Sequence, residues 1–509
     1  MLSAGLAACN LPLKSAVPTP PIPTYLPPTA APTPTVSPPT AAYTPVFEPA
    51  PCQFYVPEGH TPECGYLVVP EDRARADSPL IRLHVAIFRS SSPAPAPDPV
   101  IHLTGGPGSY GLTLTWYYFS TGHDAFLATR DYVVFDQRGV GFSQPALDCP
   151  EANELALYLL GQDVSAEVGR ALEMDAYTAC RDRLLSEGVD LAAYHSAASA
   201  ADVSDLRVAL GYDEVNLLGV SYGTRLALTV MRDHPEGIRS VILDSAYPPQ
   251  VNLYTAWASN AGRAFDVLFD ACAANADCSA FYPDLRTVFY ALVDRLNADP
   301  ITVVVSTGSG GMPVVVDGDR LMDVVFMGMY RADVIPALPH LIYEVNEGST
   351  EQLAGHLQVY LTFTASTGMR NSVQCREEVP FSSFEDVLAE SAGVQPQVAD
   401  FFAGRLEGFY GVCEMWGAGQ ADPVENQAVV SDIPALVLAG EFDPITPPEW
   451  GELAAATLSN STVVQFPGVG HWVLRSGPCG WEVALDFLDD PERAPDASCV
   501  TWMGGPDFR

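Results

Sequence analysis

Ser221, Asp443 and His471 are the residues whose types and settings point to chemistry. Ser221 stands in Leu217-Leu218-Gly219-Val220-Ser221-Tyr222-Gly223-Thr224, a GxSxG motif with an apolar strand-like run before it and a helix-forming run after it. A serine at a tight strand-to-helix turn occupies strained backbone, and side chains at Gly219 or Gly223 would collide with neighbouring elements. A serine hydroxyl attacks a carbonyl only if a base takes its proton and a carboxylate fixes that base's tautomer. Asp443 supplies the carboxylate, in Leu438-Ala439-Gly440-Glu441-Phe442-Asp443-Pro444-Ile445-Thr446-Pro447, with Glu441 as its rival two residues away. His471 supplies the base, in Phe466-Pro467-Gly468-Val469-Gly470-His471-Trp472. Of the nine histidines, His102 lies inside a strand; His60, His84, His123, His195, His234, His340 and His356 do not follow a late strand.

A tetrahedral intermediate also needs donors for its oxyanion. The amide of Tyr222, directly after the serine, is one candidate. The glycine-rich turn Thr104-Gly105-Gly106-Pro107-Gly108 offers the other, with Gly106 preferred and Gly105 as the alternative. It lacks the Lys-Ser/Thr ending of a nucleotide-binding loop. The sequence calls for no cofactor or metal: there is no dinucleotide fingerprint, and acidic stretches such as Glu482 to Asp490 lack clustered histidines.

These side chains must be carried by a sheet. Gly65 to Val69 and Leu80 to Phe88 read as an antiparallel pair; Val100 to Leu103, Tyr132 to Phe135 and Val215 to Leu218 read as strands buried on both faces. Helical Ala201 to Leu210 precedes the last of these and Tyr222 to Arg232 follows it, an alternation that argues for a parallel α/β sheet. After the strand Arg239 to Leu243, residues 247–430 are mostly helical. The α/β pattern resumes with Pro434 to Leu438, Glu449 to Leu458, Thr462 to Phe466 and Trp481 to Leu488. The expected layout is a sheet domain over 52–246 and 431–509, interrupted by a helical cap over 247–430.

The order GGPG (Gly105 to Gly108), Asp136-Gln137-Arg138-Gly139-Val140-Gly141-Phe142-Ser143-Gln144-Pro145, GxSYG at Ser221, GxxDPxTP at Asp443 and GxGH at His471 resembles the α/β-hydrolase aminopeptidases, the proline iminopeptidase and tripeptidyl aminopeptidase family. Proline iminopeptidases carry a His directly before GGPG. Here Thr104 stands there and His102 two residues earlier, which tilts the likeness toward the tripeptidyl or broader aminopeptidase branch, and the tail bearing Cys479 and Cys499 is similar to the C-terminal region of the secreted tripeptidyl type. The resemblance implies an α/β-hydrolase fold with a helical cap and a serine exopeptidase that acts near the free N-terminus of a peptide, with an esterase on the same scaffold as the alternative. It further implies cap acids that hold the substrate's ammonium. Glu377, Glu378 and Glu414, beside Cys375 and Cys413, are the candidates, with Trp416 and Tyr222 as apolar lining. Asp136 and Arg138 are expected to brace the oxyanion loop as a charge-assisted pair.

The chain has 62 acidic and 25 basic residues among 509, a net charge of −37 that would repel nucleic acid. Its eleven cysteines lack CxxC spacing and point to disulfides in an extracytoplasmic compartment. Proximity suggests Cys52 with Cys64, Cys149 with Cys180, Cys272 with Cys278, Cys375 with Cys413 and Cys479 with Cys499. The remaining Cys9, in Leu6-Ala7-Ala8-Cys9, is similar to a bacterial lipoprotein box, so residues 1–9 read as a signal remnant and Cys9 as a lipidated membrane tether. The Pro/Thr-rich residues 10–51 read as an extended spacer.

Overall fold

The computed structural model describes residues 43–307, 310–362 and 365–508, of which 44–508 belong to one compact unit. Cys9 and most of the expected spacer lie outside the described residues. Nine strands form the main sheet: β1 (Val46–Pro49), β2 (Glu63–Pro70), β3 (Leu80–Phe88), β4 (Val100–Leu103), β5 (Tyr132–Phe135), β6 (Val215–Val220), β7 (Ile238–Asp244), β10 (Ala435–Gly440) and β11 (Ser461–Phe466). A separate hairpin pairs β8 (Ile301–Thr307) with β9 (Gly310–Val316).

The strand order is β1-β2-β3-β5-β4-β6-β7-β10-β11. From β5 to β11 all pairings are parallel, while β1, β2 and β3 join antiparallel at one edge. Alternation along each strand divides the core into two layers. Ile101, Leu217, Val241 and Val437 pack against the helices Ser196–Leu210, Tyr222–Asp233 and Pro448–Ala455. Val100, Leu218, Ile242 and Leu436 face the opposite layer, where Tyr118, Phe126, Trp481 and Phe487 cover them. Burial on both faces accounts for the unbroken apolar runs of the parallel strands.

Between β7 and β10 the chain forms a mainly helical insertion, including Leu253–Ala274, Leu285–Ala298, Gly318–Met329, Thr367–Glu377 and Pro396–Trp416, with its own core around Phe265, Phe289, Val325 and Leu341. A second excursion joins it. Helices Pro150–Leu160 and Ala166–Ser186 leave the sheet after β5, and the long one packs on Pro396–Trp416, with Met174 against Gly411 and Arg170 against Gly408. Sequence reading did not assign these two helices. Charged side chains on most turns of Ala166–Ser186 blur its apolar stripe.

Ordered structure also begins earlier than the expected Cys52. Val46–Pro49 completes the sheet edge by pairing with β2, because a short strand there satisfies backbone groups that β2 would otherwise leave open. All five expected disulfides are formed: Cys52–Cys64, Cys149–Cys180, Cys272–Cys278, Cys375–Cys413 and Cys479–Cys499. They place the protein in an oxidising, extracytoplasmic environment. Among the described residues no helix is long and apolar enough to cross a membrane.

Candidate active site

Ser221 links β6 to the helix Tyr222–Asp233 with φ 57° and ψ −125°, a conformation that L-residues adopt only where the surroundings enforce it. The enforcement comes from close backbone approaches. A Cβ on Gly219 would fall 2.4 Å from the carbonyl oxygen of Gly223, and one on Gly105 would fall 2.9 Å from the Cβ of Ser221. The Ser221 amide donates to the Asp244 carbonyl at 3.0 Å, and the Ser221 carbonyl accepts from the amide and hydroxyl of Thr224 at 2.8 and 2.6 Å. The serine thus sits at the carboxyl end of the sheet, against the positive end of a helix.

Asp443 follows β10 and is completely buried. Its carboxylate accepts from the amides of Ile445 and Thr446 at 3.0 and 2.9 Å, from the Thr446 hydroxyl at 2.8 Å and from His471 Nδ1 at 2.8 Å. Burial alone would raise its pKa, but the His471 imidazole and the two amides outweigh that and hold the carboxyl below its usual range. With Nδ1–H donating to Asp443, the Nε2 of His471 is left as the proton acceptor. Glu441, the rival acid, instead accepts from the amide of Gly468 at 2.8 Å.

The His471 loop is held to the same strand end that holds Ser221. Val473 and Leu474 donate their amides to the Asp244 carboxylate at 2.7 and 2.9 Å, and Trp472 donates to Ser245 Oγ at 2.7 Å. Burial lifts the Asp244 pKa to about 6 against the pull of those amides and of His471. Close packing fixes the loops further: a Cβ on Gly470 would come 2.0 Å from the Met329 carbonyl oxygen, and one on Gly440 would come 2.0 Å from that of Gly470. Tyr330 lies against the His471 ring at 4.8 Å between centroids. Asp244 and Tyr330 were not singled out from sequence, although a carboxylate at the end of an apolar strand was a signal available there.

Register places Leu103 beside Gly219, so the Gly105–Gly108 turn lies next to Ser221. Among the described residues, the backbone N–H groups of Gly106 and Tyr222 have no acceptor within the protein. The turn is held on both sides. Gln137 Nε2 donates to the Thr104 carbonyl at 2.8 Å, and Thr104 Oγ1 lies 3.2 Å from the Tyr118 hydroxyl. From the insertion, Ser366 donates its amide to the Gly108 carbonyl at 2.9 Å and its hydroxyl to Asp148 at 2.5 Å.

The expected pairing of Asp136 with Arg138 does not occur. Asp136 accepts the amides of Leu112 and Phe142 at 3.0 and 2.8 Å, while Arg138 turns beneath the helix Ser196–Leu210 and grips Asp202 at 2.7 and 2.8 Å. Each is satisfied by a different neighbour.

Of the four residues expected to receive substrate, three are buried and one is exposed. Glu377 and Glu378 are each 1% exposed and flank the buried guanidinium of Arg225, at 3.3 and 2.9 Å. Glu377 also accepts from the amide and hydroxyl of Ser196, and Glu378 from the Leu253 amide. Both carboxylates are engaged by internal donors, because an unpaired Arg225 in that position would be costly. Trp416 is fully enclosed, with its indole N–H on Ser372 Oγ at 3.0 Å, and belongs to the core. Glu414 is exposed. The Tyr222 side chain is also enclosed, its hydroxyl on Ser196 at 2.8 Å, which leaves only its backbone next to Ser221.

For a metal, His195, Glu377 and Glu425 bring one ligand atom each within 4.8 Å of one another. The donor set fits poorly, since Glu377 is already committed to Arg225 and Ser196.

The α/β hydrolase fold family matches residues 98–290, and the TAP-like protein family matches residues 398–499. The chain has the α/β-hydrolase fold. Among its relatives, "Serine protease Hip1" of Mycobacterium tuberculosis is 26% identical over 455 residues, covering 84% of this chain and 85% of that one. "Tripeptidyl aminopeptidase" of Streptomyces lividans is 32% identical over 197 residues, 37% of this chain and 36% of the other. The solved proline iminopeptidase of Mycobacterium smegmatis is 16% identical, covers 84% of this chain and 98% of its own, and gives a TM-score of 0.38. Fold and relatives together point to a serine hydrolase, with a C-terminal region that matches the TAP-like protein family.

Proposed function

We propose that Ser221, His471 and Asp443 are nucleophile, base and orienting acid, and that the protein is a serine exopeptidase acting near the free N-terminus of a peptide. The observation that carries the reading is the Asp443–His471 bond at 2.8 Å, held by the strand end to which Ser221 is also tied. Ser221 attacks the scissile carbonyl as His471 Nε2 takes its proton, and the amides of Gly106 and Tyr222 receive the oxyanion. His471 then protonates the departing amine, and water hydrolyses the acyl-enzyme by the same steps. The peptidase reading is supported by the serine protease relative that spans most of the chain and by the TAP-like region.

A second reading, an esterase on the same scaffold, is favoured by one observation: Glu377 and Glu378, the buried acids expected to hold an ammonium, are occupied by Arg225. The deciding experiment compares turnover of a tripeptide anilide with its N-acetylated counterpart and with a neutral aryl ester. Preference for the free amine is expected. Equal rates on the two peptides would remove the exopeptidase reading, and turnover of the ester alone would select the second one.

A further inference from the structure

Tyr330 caps the C-terminus of the helix Gly318–Met329 in the insertion. Among the described residues its ring is the one aromatic ring that meets His471, at 4.8 Å between centroids with the planes 59° apart. The backbone of Tyr330 is fastened to the His471 loop from two directions. The Arg475 guanidinium donates to the Tyr330 carbonyl, and a Cβ on Gly470 would come 2.8 Å from that same carbonyl. Phe326 packs edge-on against the ring at 5.7 Å.

Packing on the imidazole uses the ring of Tyr330 but not its hydroxyl. Among the described residues that oxygen makes no hydrogen bond, and it is open to solvent, unlike the Tyr290 hydroxyl, which is buried without a partner. The residue is half-buried, and its phenol feels charges from both layers of the molecule. Burial, Asp443 at the sheet and Asp323 in the insertion push its pKa up, against the pull of Arg475 and Arg405. The hydroxyl therefore keeps its proton at neutral pH and lies where sheet and insertion meet, beside the proposed base.

In the tetrahedral intermediate the oxyanion points to the amides of Gly106 and Tyr222. The leaving atom must point to His471, because the nitrogen that took the serine's proton hands it on to that atom. A group lying on His471 is thus on the leaving side of the scissile bond. We infer that the Tyr330 hydroxyl is a leaving-side subsite, donating a hydrogen bond to a carbonyl oxygen in the departing portion of the substrate. In a peptide this is the main-chain carbonyl close behind the leaving nitrogen; in an ester it is a carbonyl on the alcohol. A phenol suits the task, since its ring packs while its O–H remains free to donate. The assignment rests on the triad reading above and is separable from the peptidase reading, because both substrate classes can offer the acceptor.

The test uses the full chain and two substrate pairs, each sharing an acyl group: a tripeptide glycinamide against the tripeptide 4-nitroanilide, and the glycolamide ester of butyrate against 4-nitrophenyl butyrate. The first member of each pair carries the leaving-side carbonyl and the second lacks it. Tyr330→Phe keeps the ring on His471 and removes only the hydroxyl. It is expected to lower kcat/KM about fivefold or more on the glycinamide and the glycolamide ester, the worth of one hydrogen bond, and to leave the other two within about twofold. Reading the ratio within one preparation separates this loss from lost folding, which lowers both members alike. If neither peptide is cut but the ester ratio falls, the peptidase reading fails and the subsite stands. An unchanged ratio in every pair that is turned over, or a loss shared equally by both members, overturns the subsite and leaves the peptidase reading unaffected. Turnover that survives Ser221→Ala removes the triad reading and the subsite with it.

Discussion

A methyl group on Gly223 would lie 1.8 Å from the carbonyl oxygen of Leu103. Both partners in that approach are backbone, so no side chain can yield, and the helix carrying Ser221 crosses β4 at a distance that only glycine permits. Gly223→Ala is therefore expected to lose about 3 kcal/mol or more, at the upper end of what overpacking costs, and to lower turnover by displacing the nucleophile. Thermal unfolding and aryl-ester hydrolysis measure the two effects; a variant with wild-type melting and rate would contradict the packing argument.

Asp443→Asn keeps the shape of the side chain but removes the charge that selects the His471 tautomer. A fall in kcat on the order of 10⁴ is expected, with the far-ultraviolet circular dichroism unchanged. Ser221→Ala should abolish labelling by a fluorophosphonate. Labelling that persists in that variant would place the nucleophile elsewhere.

Ser366 binds the Gly105–Gly108 turn from the insertion through its amide to Gly108, and its hydroxyl is held by Asp148. Ser366→Ala leaves the first bond and removes the second. The expected result is a drop of about tenfold in kcat, the worth of one hydrogen bond to a charged group, with KM within about twofold. Affinity for a peptide boronate should weaken in proportion and Ser366→Thr should recover part of the loss, neither of which a purely structural role would produce.

Two buried groups set opposite limbs of the stability profile. Burial lowers the pKa of His123 to about 3, so the folded protein refuses a proton that the unfolded chain binds near pH 6.5. The stability linked to it is complete above about pH 6.5 and is lost as pH falls toward 3, at roughly 1.4 kcal/mol per unit. Burial raises the Asp136 carboxyl to about 7, despite the opposing amides of Leu112 and Phe142. Its contribution is complete below about pH 4 and is lost as pH rises through 7. His123→Phe should flatten the acid limb of a Tm against pH curve, and an acid limb identical to the wild type would assign that limb to other groups.

The strands were legible in the sequence wherever an apolar run ended in a turn, and the residues of the proposed triad stand directly after such runs. Leu80–Phe88, Val100–Leu103 and Tyr132–Phe135 fall where the pattern puts them. What could not be read was contact across long separations. Ser366 meets Gly108, Glu377 meets Arg225, and Asp244 meets Val473 and Leu474, and no local spacing marks these pairs. Glu377 and Glu378 illustrate the cost: their acidity was plain, but only the fold shows that Arg225 consumes it. The edge strand Val46–Pro49 was hidden for another reason, since its flanking prolines read as spacer.

The helix Thr367–Glu377 grips the Gly105–Gly108 turn through the residue before its first turn and the helix Tyr222–Asp233 through its last. Swinging that cover outward like a door would pull apart the machinery it covers. The cover and the serine's strand-to-helix turn are therefore one mechanical unit, and an insult to either end of Thr367–Glu377 is felt at the other.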